Sequence, residues 1–151
     1  MNYGTRLEEL RESKNLSLQD ISKLLGFDKD TYGKFEREYI TIPLIHLNTL
    51  CNFFDVSIDY ILGFINIKKY QNAKAEIDLK LSGIKLREFR KEQKLSLVQL
   101  GNILGCSYGT IATYETGKNL IATHFLFQIC KKYHISADYL LGKIDNPKYL
   151  K

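Results

Sequence analysis

One pattern of 21 residues occurs twice in the chain. Leu16 to Glu36 reads LSLQDISKLLGFDKDTYGKFE and Leu95 to Glu115 reads LSLVQLGNILGCSYGTIATYE, offset by 79 residues with no gap. The correspondence extends from Gly4–Asn66 onto Gly83–Asp145. It includes Arg11/Arg90, Gly26/Gly105, Glu36/Glu115 and the two Asp-Tyr-x-Leu-Gly endings. A period this long, occurring twice, indicates two copies of one small domain, because a solenoid needs three or more short units. Whatever the first copy folds into, the second folds into as well. The expected organisation is domain 1 over 1–66, a linker over 67–81 and domain 2 over 82–151.

Local signals make each copy helical. In copy one, Leu7 and Leu10 repeat at helical spacing up to Lys14-Asn15. Ser17 with Asp20 has the form of a capping box, in which a side chain accepts from an orphan N–H and is answered three residues on. Ile21, Leu24 and Leu25 then form an inward stripe. Gly26 supplies the positive φ at which one helix stops and another starts at an angle. Asp28 caps the next helix, with Tyr32 and Phe35 facing in. Pro43 suits the first turn of a fourth helix carrying Leu44, Leu47, Leu50 and Cys51. Ser57 caps a fifth, with Ile58, Ile61 and Leu62, ended by Gly63. Copy two repeats the plan. Leu86 and Phe89 are followed by the Ser96–Gln99 cap, then Leu100, Ile103 and Leu104, the Gly105 turn and the Ser107 cap. Ile111 and Tyr114 face in, which leaves Tyr108, Gly109, Ala112 and Thr113 outward. The glycines read as turn glycines and the hydroxyls as caps. Between the copies, Ile67, Tyr70, Ala73, Ile77 and Leu81 lie near helical period, as in an amphipathic helix or a partly ordered connector. A helix there spans ~22 Å and an extended chain reaches ~50 Å.

The totals narrow the function classes. Apolar content of 44% supports a packed core. No apolar run approaches the ~18 residues that span a bilayer, and no signal-peptide pattern opens the chain, so the expected location is the cytoplasm. Cys51, Cys106 and Cys130 form no CxxC and read as buried free thiols, and His46, His124 and His134 share no ligand spacing with them. No metal and no cofactor are expected. Charge is uneven: residues 1–66 carry seven Lys/Arg against ten Asp/Glu, residues 67–81 four against two, and residues 82–151 eleven against five. A basic second half suits a polyanion, whose counterions are released when its phosphates are neutralised.

The run LSLxxLxxxLGCSxxTIxxYExGK, followed by a leucine helix and ISADYLLG, resembles the Cro and phage-repressor (xenobiotic-response-element, lambda-repressor-like) helix-turn-helix family. Both copies match, covering about 126 of 151 residues. The resemblance implies an all-α protein made of two tandem five-helix domains, joined by the possibly helical linker. It also implies that the second helix of each motif enters the major groove of double-stranded DNA. Carried over by position, the DNA-contacting candidates are Ser107, Tyr108, Gly109 and Thr113 in copy two, and Lys29, Asp30 and Lys34 in copy one. Lys118 and Asn119 match positions where the family holds phosphate by side chain and backbone N–H. Arg11 is expected to pair with Glu36, and Arg90 with Glu115, as structural ion pairs.

Three departures bear on function. Where many members carry a phosphate-anchoring glutamine in the second helix, this chain has Leu18 and Leu97. Copy one has Glu38 and Tyr39 where copy two has Gly117 and Lys118, and it places Asp28, Asp30, Glu36 and Glu38 around its helix. The leading expectation is a sequence-specific DNA-binding transcriptional regulator, a repressor, acting through copy two. Copy one would read a second half-site or mediate assembly with a second copy of the chain or another protein, through domain 1 or the linker. The alternative is a protein-interaction module such as an antitoxin or adaptor. An enzyme is the least supported class, since no catalytic constellation can be placed.

Overall fold

The computed structural model describes residues 1–151. It divides into two compact units, Met1–Lys69 and Tyr70–Lys151. The first contains α1 (Tyr3–Ser13), α2 (Leu18–Leu25), α3 (Lys29–Glu36), α4 (Leu44–Phe54) and α5 (Ile58–Ile61). The second contains α6 (Leu79–Glu92), α7 (Leu97–Leu104), α8 (Tyr108–Glu115), α9 (Thr123–Tyr133) and α10 (Ala137–Leu140). No strands form, and no helix is long and apolar enough to cross a membrane.

The helix boundaries follow from local chemistry. Ser17 accepts from the Asp20 N–H at 3.0 Å and Asp20 accepts from the Ser17 N–H at 2.8 Å. Ser96 and Gln99 repeat both bonds at the same distances. Gly26 (φ 78°) and Gly105 (φ 80°) close α2 and α7 in the left-handed region, where a Cβ would be strained. Asp28 and Ser107 then start α3 and α8 by accepting from the N–H of Thr31 and Thr110. Tyr3, Leu7, Ile21, Tyr32, Leu47 and Ile61 fill the core of the first unit; Phe89, Leu100, Ile111, Leu126, Ile129 and Leu141 fill that of the second.

Several expectations are corrected. Of the two forms left open for the linker, residues 67–78 take the connector and not the helix. A short isolated amphipathic segment cannot repay helix nucleation by itself. Here the Lys74 and Asp78 N–H groups bond instead to the carbonyls of Lys143 and Leu141 (2.8 and 3.1 Å), so residues 70–78 belong to the second unit while 67–69 stay with the first, and Asp78 caps α6. Pro43 is the N-cap of α4, one residue outside the helix. Leu24 is 43% exposed; Ile21 supplies the buried edge of α2, with Leu25 half-buried beside it. Cys51 and Cys130 are buried but Cys106 is only half-buried. Not every glycine serves a turn. A Cβ on Gly4 would stand 2.0 Å from the Glu36 carbonyl oxygen, and one on Gly83 would stand 2.5 Å from that of Glu115. These two helical glycines let α1 and α6 touch the ends of α3 and α8.

A second repeated feature is a cation held by backbone carbonyls and a tyrosine ring, half-buried in the first unit and buried in the second. Arg6 donates to the carbonyls of Tyr60 and Ile65 and lies 4.2 Å over the Tyr60 ring. Its counterpart Lys85, 8% exposed, donates to the Ile144 carbonyl at 3.0 Å and lies 3.9 Å over the Tyr139 ring. Desolvation holds the Lys85 ammonium below its ordinary pKa. The stretch after the fifth helix is thereby tied to the first helix of its own unit. In the second unit the tail is fastened further: Leu150 N–H donates to the His134 carbonyl, Ser136 N–H donates to that of Lys148, and Glu92 holds both Lys148 and Tyr149.

Candidate nucleic-acid interface

Helix α8 is eight residues long, about 12 Å. One side is spent on the core, through Ile111 and Tyr114. Its C-terminal end is anchored by an ion pair: Arg90 Nε and NH2 donate to the two Glu115 oxygens (2.6 and 3.0 Å), while NH1 donates to the Leu95 carbonyl at 2.8 Å. One guanidinium therefore ties α6, the α6–α7 loop and α8 together. The Arg11–Glu36 pair does the same for α1 and α3, with NH1 of Arg11 on the Leu16 carbonyl. The Glu36 and Glu115 side chains are only 3% and 7% exposed. Hydrogen bonding to these carboxylates raises the pKa of both arginines above its ordinary value.

Tyr108, 62% exposed, and Gly109 begin the outward side of α8, and Ala112 and Thr113 continue it one turn later. A Cβ on Gly109 would meet nothing closer than Ser107 Oγ at 3.8 Å, so this surface is shallow and accessible to another molecule's edge. Ser107 is committed to the helix: it accepts from the Thr110 N–H, and its Oγ lies 3.0 Å from Thr110 Oγ1. Thr113 donates to the Thr110 carbonyl at 2.7 Å, which leaves its oxygen able to accept. Lys118 and Asn119 lie past the C-terminal end of α8, away from Ser107, and their side chains are exposed. Their backbone N–H groups both bond to the Thr113 carbonyl (3.0 and 3.2 Å). The backbone share of the expected phosphate contact is therefore already used, and only the side chains are free to act.

Lys29, Asp30 and Lys34 are exposed on α3. The acidic surroundings inferred for this helix shrink on inspection. Glu36 is turned inward onto Arg11, and Glu38 faces the Gly4 N–H and the N-terminal ammonium. Asp28 remains exposed but caps the helix, and the Thr31 N–H holds its carboxyl below the usual range. Arg37, which the sequence reading passed over, is exposed at the end of α3 with its guanidinium 5.4 Å over the Tyr39 ring. Its only sequence signal was a cation one residue past the helix. No group of three or more His, Cys, Asp or Glu side chains is placed to hold a metal ion.

Comparison with known proteins matches this architecture twice. The family model described as "Helix-turn-helix" matches residues 7–61 and 86–140. Among curated Bacillus subtilis (strain 168) proteins, the chain is similar to the uncharacterized HTH-type transcriptional regulator YobD, 39% identical over 61 residues, or 40% of this chain and 54% of that one. It is also similar to the HTH-type transcriptional regulator AnsR, 42% identical over 74 residues (49% of this chain, 62% of that one). The HTH-type transcriptional regulator ImmR is 28% identical over 103 residues, covering 67% and 78%. The chain thus spans little more than half the length of the first two relatives. No solved structure matches. With both of its repeats matched, the chain belongs to the Cro/C1-type helix-turn-helix family and carries two tandem copies of its domain.

Proposed function

We propose that this protein is a sequence-specific regulator of transcription, a repressor acting in the cytoplasm, that binds double-stranded DNA by laying α8 in the major groove. The observation that carries the reading is the division of α8. Ile111 and Tyr114 are buried, Arg90 fixes the far end, and Tyr108, Gly109 and Thr113 are left on a rigid outward face. The similarity to proteins named as transcriptional regulators supports it. Tyr108 and Thr113 can contact base edges directly, and Gly109 permits close approach. The Lys118 ammonium and the Asn119 amide supply phosphate contacts that set register without reading sequence. In the first unit, Lys29, Lys34 and Arg37 outnumber Asp28 and Asp30 on the exposed side, which supports α3 as the reader of a second half-site. Two readers on one chain raise each other's local concentration.

The test is a gel-shift titration at several salt concentrations, on duplexes selected from a random pool with the full chain. Lys118→Ala weakens binding to all sequences alike and lowers the salt slope by about one. Thr113→Ala changes the preference between sites by ~1–3 kcal/mol. Unchanged affinity in both variants removes this site assignment. A second reading, a protein-interaction module, is favoured by one feature: Tyr39, 73% exposed, and Ile40, 43% exposed, stand where the second unit presents Lys118 and Asn119. A stoichiometric protein partner, together with no salt-dependent binding to any duplex, decides for that reading.

A further inference from the structure

Building on the reading of α3 as a second DNA-contacting helix, we propose that Arg37, seated on Gly33, anchors that helix by binding a phosphate of the duplex backbone. Gly33 is the residue of α3 that folding does not explain. Glycine weakens a helix interior relative to alanine, and the second unit carries Ala112 at the equivalent outward position. Gly33 closes no turn, unlike Gly26, and meets no neighbouring backbone, unlike Gly4. The atoms nearest an added Cβ all belong to side chains: Arg37 Nη2 at 3.0 Å, Arg37 Cζ at 3.6 Å and Leu18 Cδ1 at 3.9 Å. Gly33 is nevertheless buried, because the Arg37 guanidinium lies across it, with the Tyr39 ring 5.4 Å from Cζ.

The second unit lacks both halves of this arrangement. Ala112 and Thr116 stand where the first unit has Gly33 and Arg37, and the Thr116 hydroxyl donates to the Thr113 carbonyl at 3.3 Å. Glycine and arginine are thus present together in one copy of the fold and absent together from the other. Nothing within the protein uses the cation. Arg6 and Arg11, the other arginines of the first unit, spend their N–H groups on backbone carbonyls and on Glu36. The Arg37 guanidinium is exposed and makes no hydrogen bond or ion pair.

Its position selects the ligand. Leu18 belongs to α2, so the guanidinium lies on the edge of α3 nearest α2. When the second helix of such a motif enters a groove, the first crosses the sugar–phosphate backbone, and this edge therefore meets phosphate before it meets a base. A planar guanidinium binds a phosphate through two parallel N–H bonds, which a lysine does not match. Holding the side chain in place beforehand lowers the ordering cost of that contact. Helix α8 contains no Lys or Arg, so the first unit, acidic in composition, is the one whose reading helix carries this anchor.

Gel-shift titrations of the full chain at several salt concentrations, on its selected duplex and on an unrelated one, test this. Arg37→Ala should weaken binding to both duplexes by about tenfold and lower the salt slope by about one. Its far-UV circular dichroism spectrum and melting midpoint should match those of the wild type, since no contact within the fold depends on the guanidinium. Gly33→Leu fills the seat while leaving Arg37 in the chain, and should give the same loss. The double variant should bind no more weakly than either single one. Wild-type binding by either single variant, or losses that add in the double one, overturns the proposal and leaves the DNA reading of α3 standing. A changed preference between the duplexes at an unaltered salt slope also overturns it, by placing Arg37 on a base edge. A wild type without salt-dependent binding to either duplex overturns both.

Discussion

Replacing Gly83 by alanine opposes two effects whose magnitudes the structure separates. Gly83 is inside α6, and on helix propensity alone alanine should stabilise it by ~1 kcal/mol. The new methyl, however, would sit 2.5 Å from the Glu115 carbonyl oxygen, 2.6 Å from that of Tyr114 and 2.9 Å from the Glu115 carbonyl carbon. All three are backbone atoms at the end of α8, so no side-chain rotation relieves the contact. The two helices must separate by roughly 1 Å to restore ordinary contact, and over-packing of this kind costs about 1–3 kcal/mol, more when backbone moves. Because the contacted atoms are backbone, the cost falls at the upper end of that range, about 3 kcal/mol, and subtracting the propensity gain of ~1 kcal/mol leaves a net loss of about 2 kcal/mol. For a domain of this size that lowers the melting midpoint by on the order of 10 °C. Gly109 is the matched control. It lies in α8 with no atom closer than 3.8 Å to an added Cβ, so alanine there should raise stability by about 0.5–1 kcal/mol. Urea and thermal denaturation of the full chain, followed by far-UV circular dichroism, measure both. If Gly83→Ala stabilises the second unit as Gly109→Ala does, the proposed packing of α6 on α8 is wrong.

Two further predictions concern charges in the second unit. Arg90→Ala strands the nearly buried Glu115 carboxylate and should cost about 3–5 kcal/mol, read as a lower urea midpoint; a loss below ~1 kcal/mol contradicts the role given to the pair. Glu92, bonded to Lys148 and Tyr149, has its carboxyl held below the ordinary range, chiefly by the Lys148 hydrogen bond. A depressed pKa gives stability that is present above the unfolded value of ~4.3 and is lost as pH falls through the folded one. With Glu92 44% exposed, the effect amounts to at most about 1 kcal/mol. Between pH 5 and pH 3, on the scale set by that unfolded value, Glu92→Gln should show a flatter stability profile than the wild type, and parallel profiles refute the contact.

What could be read from the sequence was what depends on neighbours along the chain. Ser17/Asp20 and Ser96/Gln99 are caps because the partner lies three residues on, and Gly26 and Gly105 interrupt helices that restart at once. The ion pairs were suggested by family resemblance, since nothing local joins residues 25 apart. Gly83 shows why the rest was hidden: its role depends on a carbonyl 32 residues away in sequence. The form of the linker stayed open for a related reason. Its apolar spacing is periodic, but Lys74 and Asp78 find acceptors at Lys143 and Leu141, and those bonds compete with the helical ones. Leu24 failed similarly, because helical period fixes a face but not whether a neighbour covers it. On α3, counting carboxylates overstated the acidity, since direction, not number, decides what a ligand meets.

The cations held beside the fifth helices bear on how this module can be moved between proteins. Residues matched to the family end at Ile61 and Leu140, yet Lys85 finds its carbonyl acceptor beyond that point, at Ile144, and Arg6 finds one of its two there, at Ile65. A fusion that stops at the motif would remove the oxygen that lets Lys85 remain charged while shielded from water. The smallest transplantable piece is therefore longer than the recognisable signature, and its apparently dispensable tail supplies the ligand for an ion at its base.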